Sequence, residues 1–191
     1  MFDIKIFIAT GIFVICLFAC IYILISKHTV VKKETDYEMK GFKIIYADSS
    51  QDIDDENIET GRLLYSSKID VQGKPDFVFK NSFTGAVVPV EIKSGNIKNE
   101  ELPHYGDLMQ LVCYFYMAEE EFGRRPKYGK IIYKDYMFII KNTGKLRKEL
   151  VLITKRMRKM LIKNTEKTSS EYVKCRHCVC AGTVCEFYDE G

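Results

Sequence analysis

Apolar residues along this chain recur with two periods, and the switch between them separates strands from helices. "FKIIYA" (42–47) is a short β-rich run, and "RLLYSSKI" (62–69) a weaker one. "KPDFVFK" (74–80) and "AVVPVEIK" (86–93) read as two further strands, joined by "NSFTG", a five-residue loop with a glycine that suits a hairpin. Pro89 cannot donate to a ladder, which predicts an edge position or a bulge in the second of them. In "YGDLMQLVCYFYMAEEEFG" (105–123) the period becomes helical: Leu108, Leu111, Val112, Phe115 and Ala118 share a face, and Gly123 supplies the stop. "YGKIIY" (128–133) and "YMFII" (136–140) return to strand around a Lys134-Asp135 turn. A last helix covers 145–163, with Leu146, Leu150, Ile153, Met157 and Met160 inward. This order predicts an α/β domain with a mixed sheet flanked by helices.

Ahead of these elements, residues 6–26, "IFIATGIFVICLFACIYILIS", run for 21 positions without a charge. At the helical rise that is enough to cross a hydrocarbon core of about 30 Å. A secretory signal is the rival, but its apolar region is typically shorter and ends in a small-residue cleavage site. The run predicts a single transmembrane helix. Lys27, Lys32 and Lys33 follow it against Lys5 alone before it, which orients the remaining domain to the cytoplasm. The expected organisation is then an N-terminal tip (1–5), the membrane helix (6–26), a juxtamembrane tether (27–41), an α/β domain (42–168) and a cysteine-rich tail (169–191).

Composition changes this picture little. A net charge of +3 is too small to identify a polyanionic partner, so any nucleic-acid surface has to be local. Residues 48–59 carry six acids and no Lys or Arg; without the glycine and terminal glutamate of an EF-hand they read as a solvated loop. Residues 141–168 hold ten Lys or Arg against two acids, a basic helix face open to solvent or to phosphates. The seven cysteines include four at the C-terminus, a distribution that fits a reduced compartment and a metal site better than a disulfide framework.

The candidate chemistry lies in "VPVEIKSGN" (88–96). Glu91 and Lys93 sit two apart on a strand and face one way, while Val90 and Ile92 face the other. If the hairpin forms, Asp76 lies beside Glu91, and two adjacent carboxylates repel unless a divalent cation neutralises them. Mg²⁺ takes few protein ligands and keeps waters, so two carboxylates suit it. Lys93 could then hold or deprotonate an attacking water, with the metal and partial burial lowering its pKa. Gln110 and Tyr114, one helical turn apart, project together toward Lys93, a phosphate, the backbone or a base. A plain Glu–Lys pair beside an unrelated aspartate is the bland alternative.

Taken together, "GKPDFVF…VPVEIKSG…HYGDLMQLVCYFYMAEEEFGRRPKYGKIIYKD" resembles the PD-(D/E)xK nuclease superfamily, in particular the RecB-like branch that includes the CRISPR-associated exonucleases. The likeness covers residues 61–188, with Gln110 to Tyr114 as that branch's Q-x-x-x-Y element. The resemblance implies a restriction-endonuclease-like core in which Asp76, Glu91 and the Ile92 carbonyl bind Mg²⁺ or Mn²⁺. Lys93 would serve the water, and Gln110 and Tyr114 would complete the site. It also implies cleavage of DNA, often exonucleolytic on single strands. Many relatives carry a metal-binding histidine ahead of the first acid; here only His28 precedes it, and a water or Glu59 would have to stand in. The tail "CRHCVCAGTVC" has metal-ligand spacing at Cys175, Cys178, Cys180 and Cys185. In the resembled family three such cysteines join an N-terminal one on a [4Fe–4S] cluster, but no cysteine lies between Cys20 and Cys113. Cys180 or His177 could complete a cluster or a Zn²⁺ site, or the tail could hold no metal. A non-catalytic module of the same fold, binding nucleic acid or a protein partner, is the alternative function.

Overall fold

In the computed structural model, which describes residues 10–18, 20, 30–34, 39–49, 58–98 and 100–163, the hairpin around NSFTG forms and the sheet is built outward from it. The elements are β1 (Val30–Glu34), β2 (Phe42–Ala47), β3 (Glu59–Thr60), β4 (Leu64–Ser66), β5 (Val71–Gly73), β6 (Phe77–Asn81), β7 (Val87–Ile92), α1 (Tyr105–Glu121), β8 (Tyr128–Ile132), β9 (Tyr136–Lys141) and α2 (Gly144–Lys163). Seven strands form one mixed sheet in the order β1-β9-β8-β7-β6-β2-β3, and β4 pairs with β5 separately. β7 and β8 run parallel, which requires the crossover that α1 supplies. The fold is α/β, as the order of elements predicts.

Asn81 pins the β6–β7 turn. Its side-chain Oδ1 accepts from the Phe83 N–H at 3.1 Å, the Thr84 N–H at 2.8 Å and the Thr84 hydroxyl at 3.0 Å. Gly85 takes the left-handed conformation, φ 66°, that closes the loop. The register that follows pairs Lys80 with Val87 and Phe77 with Val90. Alternation then sends Val88 and Val90 into a cluster with Ile132 and Met137, against which Phe77 and Phe79 pack.

The opposite face of the sheet receives α1. This helix is buried nearly all round because it lies between β7 and β8 on one side and the β4–β5 hairpin on the other. Glu120 ties it to that hairpin, accepting from the Ser66 hydroxyl and from the Ser67 N–H at 2.9 Å. Gly129 of β8 lets the helix approach: an added Cβ would lie 2.8 Å from Phe115 Cε1, 2.9 Å from the Pro89 carbonyl oxygen and 3.0 Å from Leu111 Cδ1. Helix α1 ends at Glu121, and Gly123, φ 63°, lies just past its Phe122 cap as the stop its sequence predicts.

Several expectations are corrected. Among the described residues no helix is long and apolar enough to cross a membrane. Of the run 6–26, residues 10–18 and 20 are helical and the others lie outside the described residues. The transmembrane helix in the expected fold class is therefore not found among the described residues, and the single-pass, cytoplasm-facing localisation drawn from it loses its basis. The expected tether contains β1, paired with β9 from Val30↔Ile140 to Glu34↔Tyr136. Lys32 of this strand donates to the carbonyls of Ile97, Lys98 and Glu100 at 3.3, 3.0 and 2.7 Å, holding the segment that follows Lys93. Pro89 lies in a central strand without a bulge; the parallel ladder to β8 begins only at Val90, one residue beyond it. The bulge is instead in β2, between Ile44 and Tyr46.

The chain divides into two compact units, Met1–Val151 and Leu152–Gly191. In the first, Leu146 and Leu150 of α2 are buried as expected. In the second, Met157 and Met160 are exposed rather than inward, since no described residue covers them. The tail with Cys175, Cys178, Cys180 and Cys185, and most of the acidic loop 48–59, lie outside the described residues.

Candidate active site

At the end of the sheet where β7 stops, the register that pairs Phe77 with Val90 carries Asp76 opposite Glu91. Asp76 Oδ2 accepts from the Ile92 N–H at 2.6 Å, which fixes the first acid to the strand bearing the second. Glu91 is 6 % exposed. Its Oε1 accepts from Lys93 Nζ at 3.0 Å and from Gln110 Nε2 at 2.8 Å. Its Oε2 is buried and has no hydrogen-bond partner. A carboxylate so buried loses more solvation than the hydrogen bonds of Lys93 and the Asp76 backbone restore, which favours either a proton or a cation beside it.

The amine faces the same space. Lys93 Nζ also donates to Gln110 Oε1 at 2.7 Å, so the Gln110 amide bridges acid and amine. Gln110 Nε2 further donates to the Tyr114 hydroxyl at 2.8 Å, and that hydroxyl donates to the Lys74 carbonyl at 2.9 Å. Tyr114 thus clamps the backbone two residues ahead of Asp76 and does not present a stacking face. The five side chains read from the sequence, Asp76, Glu91, Lys93, Gln110 and Tyr114, converge. Of the stand-ins considered for the upstream histidine, Glu59 is not among them, being held by Arg62 at 2.9 Å on the edge strand β3.

One residue at this site was not anticipated. Asp107 Oδ1 lies 3.2 Å from Lys93 Nζ, and its Oδ2 accepts from the Tyr133 hydroxyl at 2.5 Å. His104 Nδ1 is 3.6 Å from the same Oδ2. The signal was available: Asp107, Gln110 and Tyr114 stand at i, i+3 and i+7, one face of a helix.

At the amine, charge and burial act in opposite directions in the metal-free protein. Burial alone depresses the Lys93 pKa, but the hydrogen bond and charge of Glu91 and the charge of Asp107 outweigh it, and the amine is raised. Lys93 is a firmly protonated cation in the metal-free protein. Both acids shift upward, Glu91 through burial and then the Asp76 charge, Asp76 through burial and then the Asp48 charge, with Lys93 opposing in each case.

The residues fit a hard divalent cation. Among the described residues no cluster of three or more His, Cys, Asp or Glu side chains could hold a metal. Two carboxylates plus a backbone carbonyl are nonetheless enough for Mg²⁺ or Mn²⁺, which retain waters, and the orphaned Glu91 Oε2 is the atom such an ion would satisfy. A stability consequence follows from the raised acids. A carboxyl raised above its unfolded value favours folding below about pH 4 and loses that contribution as pH climbs through the folded pKa. Asp76→Asn keeps an acceptor for the Ile92 N–H and removes the half-buried charge. In EDTA its melting temperature should equal or exceed that of the parent at neutral pH, with the advantage shrinking toward pH 4. Adding Mg²⁺ should stabilise the parent and not the variant. Melts at several pH values, with and without metal, check this. Compared with protein-family models and with curated proteins, the chain matches none.

Proposed function

We propose that the chain is a metal-dependent deoxyribonuclease of the PD-(D/E)xK type, related to the RecB-like branch and acting as an exonuclease. The single observation that carries this is the buried, unpartnered Glu91 Oε2 beside Asp76, on a carboxylate whose other oxygen is already held by Lys93 and Gln110. Asp76, Glu91 and the Ile92 carbonyl would hold Mg²⁺ or Mn²⁺, which when bound supplies positive charge against the scissile phosphodiester.

The chain's own residues do the rest. Asp76 stays bound to the Ile92 N–H, so the two acids keep their spacing. Lys93, protonated and held by Gln110, donates to the attacking water or to the phosphate oxygen on which charge develops. Gln110 aims that ammonium, and Tyr114 fixes Gln110 against the Lys74 carbonyl. Asp107 shares the amine and keeps it charged.

The test is cleavage of end-labelled single- and double-stranded DNA by the full chain in Mg²⁺ or Mn²⁺, beside Asp76→Ala. The expected outcome is hydrolysis that requires metal and is lost in the variant. Metal-independent binding of DNA with no cleavage would instead favour a non-catalytic module and end the nuclease proposal.

A further inference from the structure

At the end of the sheet opposite the candidate site, β6 and β9 terminate while β2, β7 and β8 begin. That rim carries Lys43, Lys80, Arg124, Arg125, Lys127 and Lys141, all exposed. Among the described residues, Lys43, Lys80, Arg125, Lys127 and Lys141 make no ion pair. The nearby acids of the last turn of α1 are already engaged: Glu119 by Lys68 and Arg147, Glu121 by Arg62. Lys43 and Lys80 are directly cross-strand partners, an arrangement of like charges that costs stability and gains nothing within the chain. Arg124 lies over the hairpin turn, donating to the Thr84 carbonyl at 3.4 Å. Beside it Phe83 projects from the same turn, 91 % exposed, with polar neighbours Ser82 and Thr84.

We infer that this rim is a second contact surface for nucleic acid, its cations meeting the phosphate backbone and Phe83 stacking on an unpaired base. The identity of the polyanion rests on the nuclease reading. The rim spans β9 to β2, four strand spacings or roughly 19 Å, enough for several phosphates of one strand. It stands about 13 Å from the acids, four residues along β6 from Lys80 to Asp76. A strand of more than a few nucleotides would reach both. A lone phenylalanine among polar neighbours is a weak membrane anchor, whereas one aromatic is a full stacking platform for one base.

The experiment is fluorescence anisotropy of labelled oligothymidylate with the full chain in EDTA, over a salt series. Lys43→Glu/Lys80→Glu should weaken binding ~10-fold or more and reduce the slope of log affinity against log salt by about 1.4, two phosphate contacts' worth. Phe83→Ala should weaken binding at least ~5-fold with the slope unchanged. Lys43→Glu alone turns a like pair into an opposite one, so it should melt no lower than the parent while still losing affinity, which separates lost contact from lost fold. An unchanged slope in the double variant overturns the inference. So does an equal drop from Lys155→Glu/Lys159→Glu on α2, or binding to vesicles of equal parts phosphatidylcholine and phosphatidylserine with none to the oligonucleotide. Because no metal is present, binding through the rim by a protein that never cleaves leaves the inference standing and removes only the nuclease activity; cleavage with unaltered rim variants does the reverse.

Discussion

Lys93→Ala is expected to lower the rate of metal-dependent DNA cleavage by ~10²–10³, the usual loss when one preorganised donor to developing charge is removed. The variant also leaves Glu91 Oε1 with Gln110 as its remaining partner and removes the cation that offsets two acids. The Lys93 side chain is 23 % exposed and that of Glu91 7 %. Solvent therefore screens part of the pair, and the expected loss of stability is about 1–3 kcal/mol rather than the larger figure for a fully buried pair. Lys93→Arg should recover more stability than rate. A planar guanidinium keeps the charge but cannot reproduce a single nitrogen shared by Glu91, Gln110 and Asp107 within 3.2 Å. Single-turnover cleavage and urea unfolding on the same preparations separate the two effects. Cleavage by Lys93→Ala within tenfold of the parent would make Lys93 a structural partner of Glu91 and no more.

The second large effect lies outside the site. Gly129→Val should lower the unfolding free energy by about 3 kcal/mol or more, the upper end for overpacking, because one neighbour of the new side chain is backbone. Phe115 and Leu111 can adjust; the Pro89 carbonyl, fixed in the centre of the sheet, cannot. Relief of that contact comes only if β7 and β8 part at this point, and Glu91, two residues beyond Pro89, moves with β7. Activity should therefore fall further than stability explains. Leu111→Ala supplies the comparison: it costs about 2–5 kcal/mol by leaving a cavity but does not part the strands. The combined variant should be less unstable than the sum of the two singles, as expected of residues in contact. Strict additivity would mean that Gly129 does not set the height of α1.

The site acids, amine, amide and phenol were legible because each sits where one period decides its direction. Glu91 lies on a strand, and Asp76 and Lys93 directly adjoin strands, whose alternation fixes the face, and Gln110 and Tyr114 are one turn apart on a strongly apolar helix. Asp107 carries little signal in the sequence because an acid in the first turn of a helix already has an ordinary explanation in the helix dipole. The upward shift of Lys93 was not legible at all: burial pointed the other way, and the two carboxylates that reverse it are brought in from β7 and α1. Strands β3, β4 and β5 have two or three residues, too few for alternation to register. Residues 30–34, "VVKKE", do not alternate, and β1 exists because β9 offers an edge. The uncharged run 6–26 misled because length and hydropathy state what a segment could do, whereas among the described residues no helix is long and apolar enough to cross a membrane.

The Asn81 carboxamide, far from any acid, has a hold on the chemistry through arithmetic. Three donors on one oxygen fix how many residues the loop contains, and that count decides which residue of one strand faces which residue of the next. A shift of one position would turn Glu91 to the sheet's other side, among Val88, Val90 and Ile132, with its partners left behind. The loop at one pole therefore acts as the indexing pin for the pocket at the other, and lineages that vary its length would be expected to lose the two-acid pocket before they lose the fold.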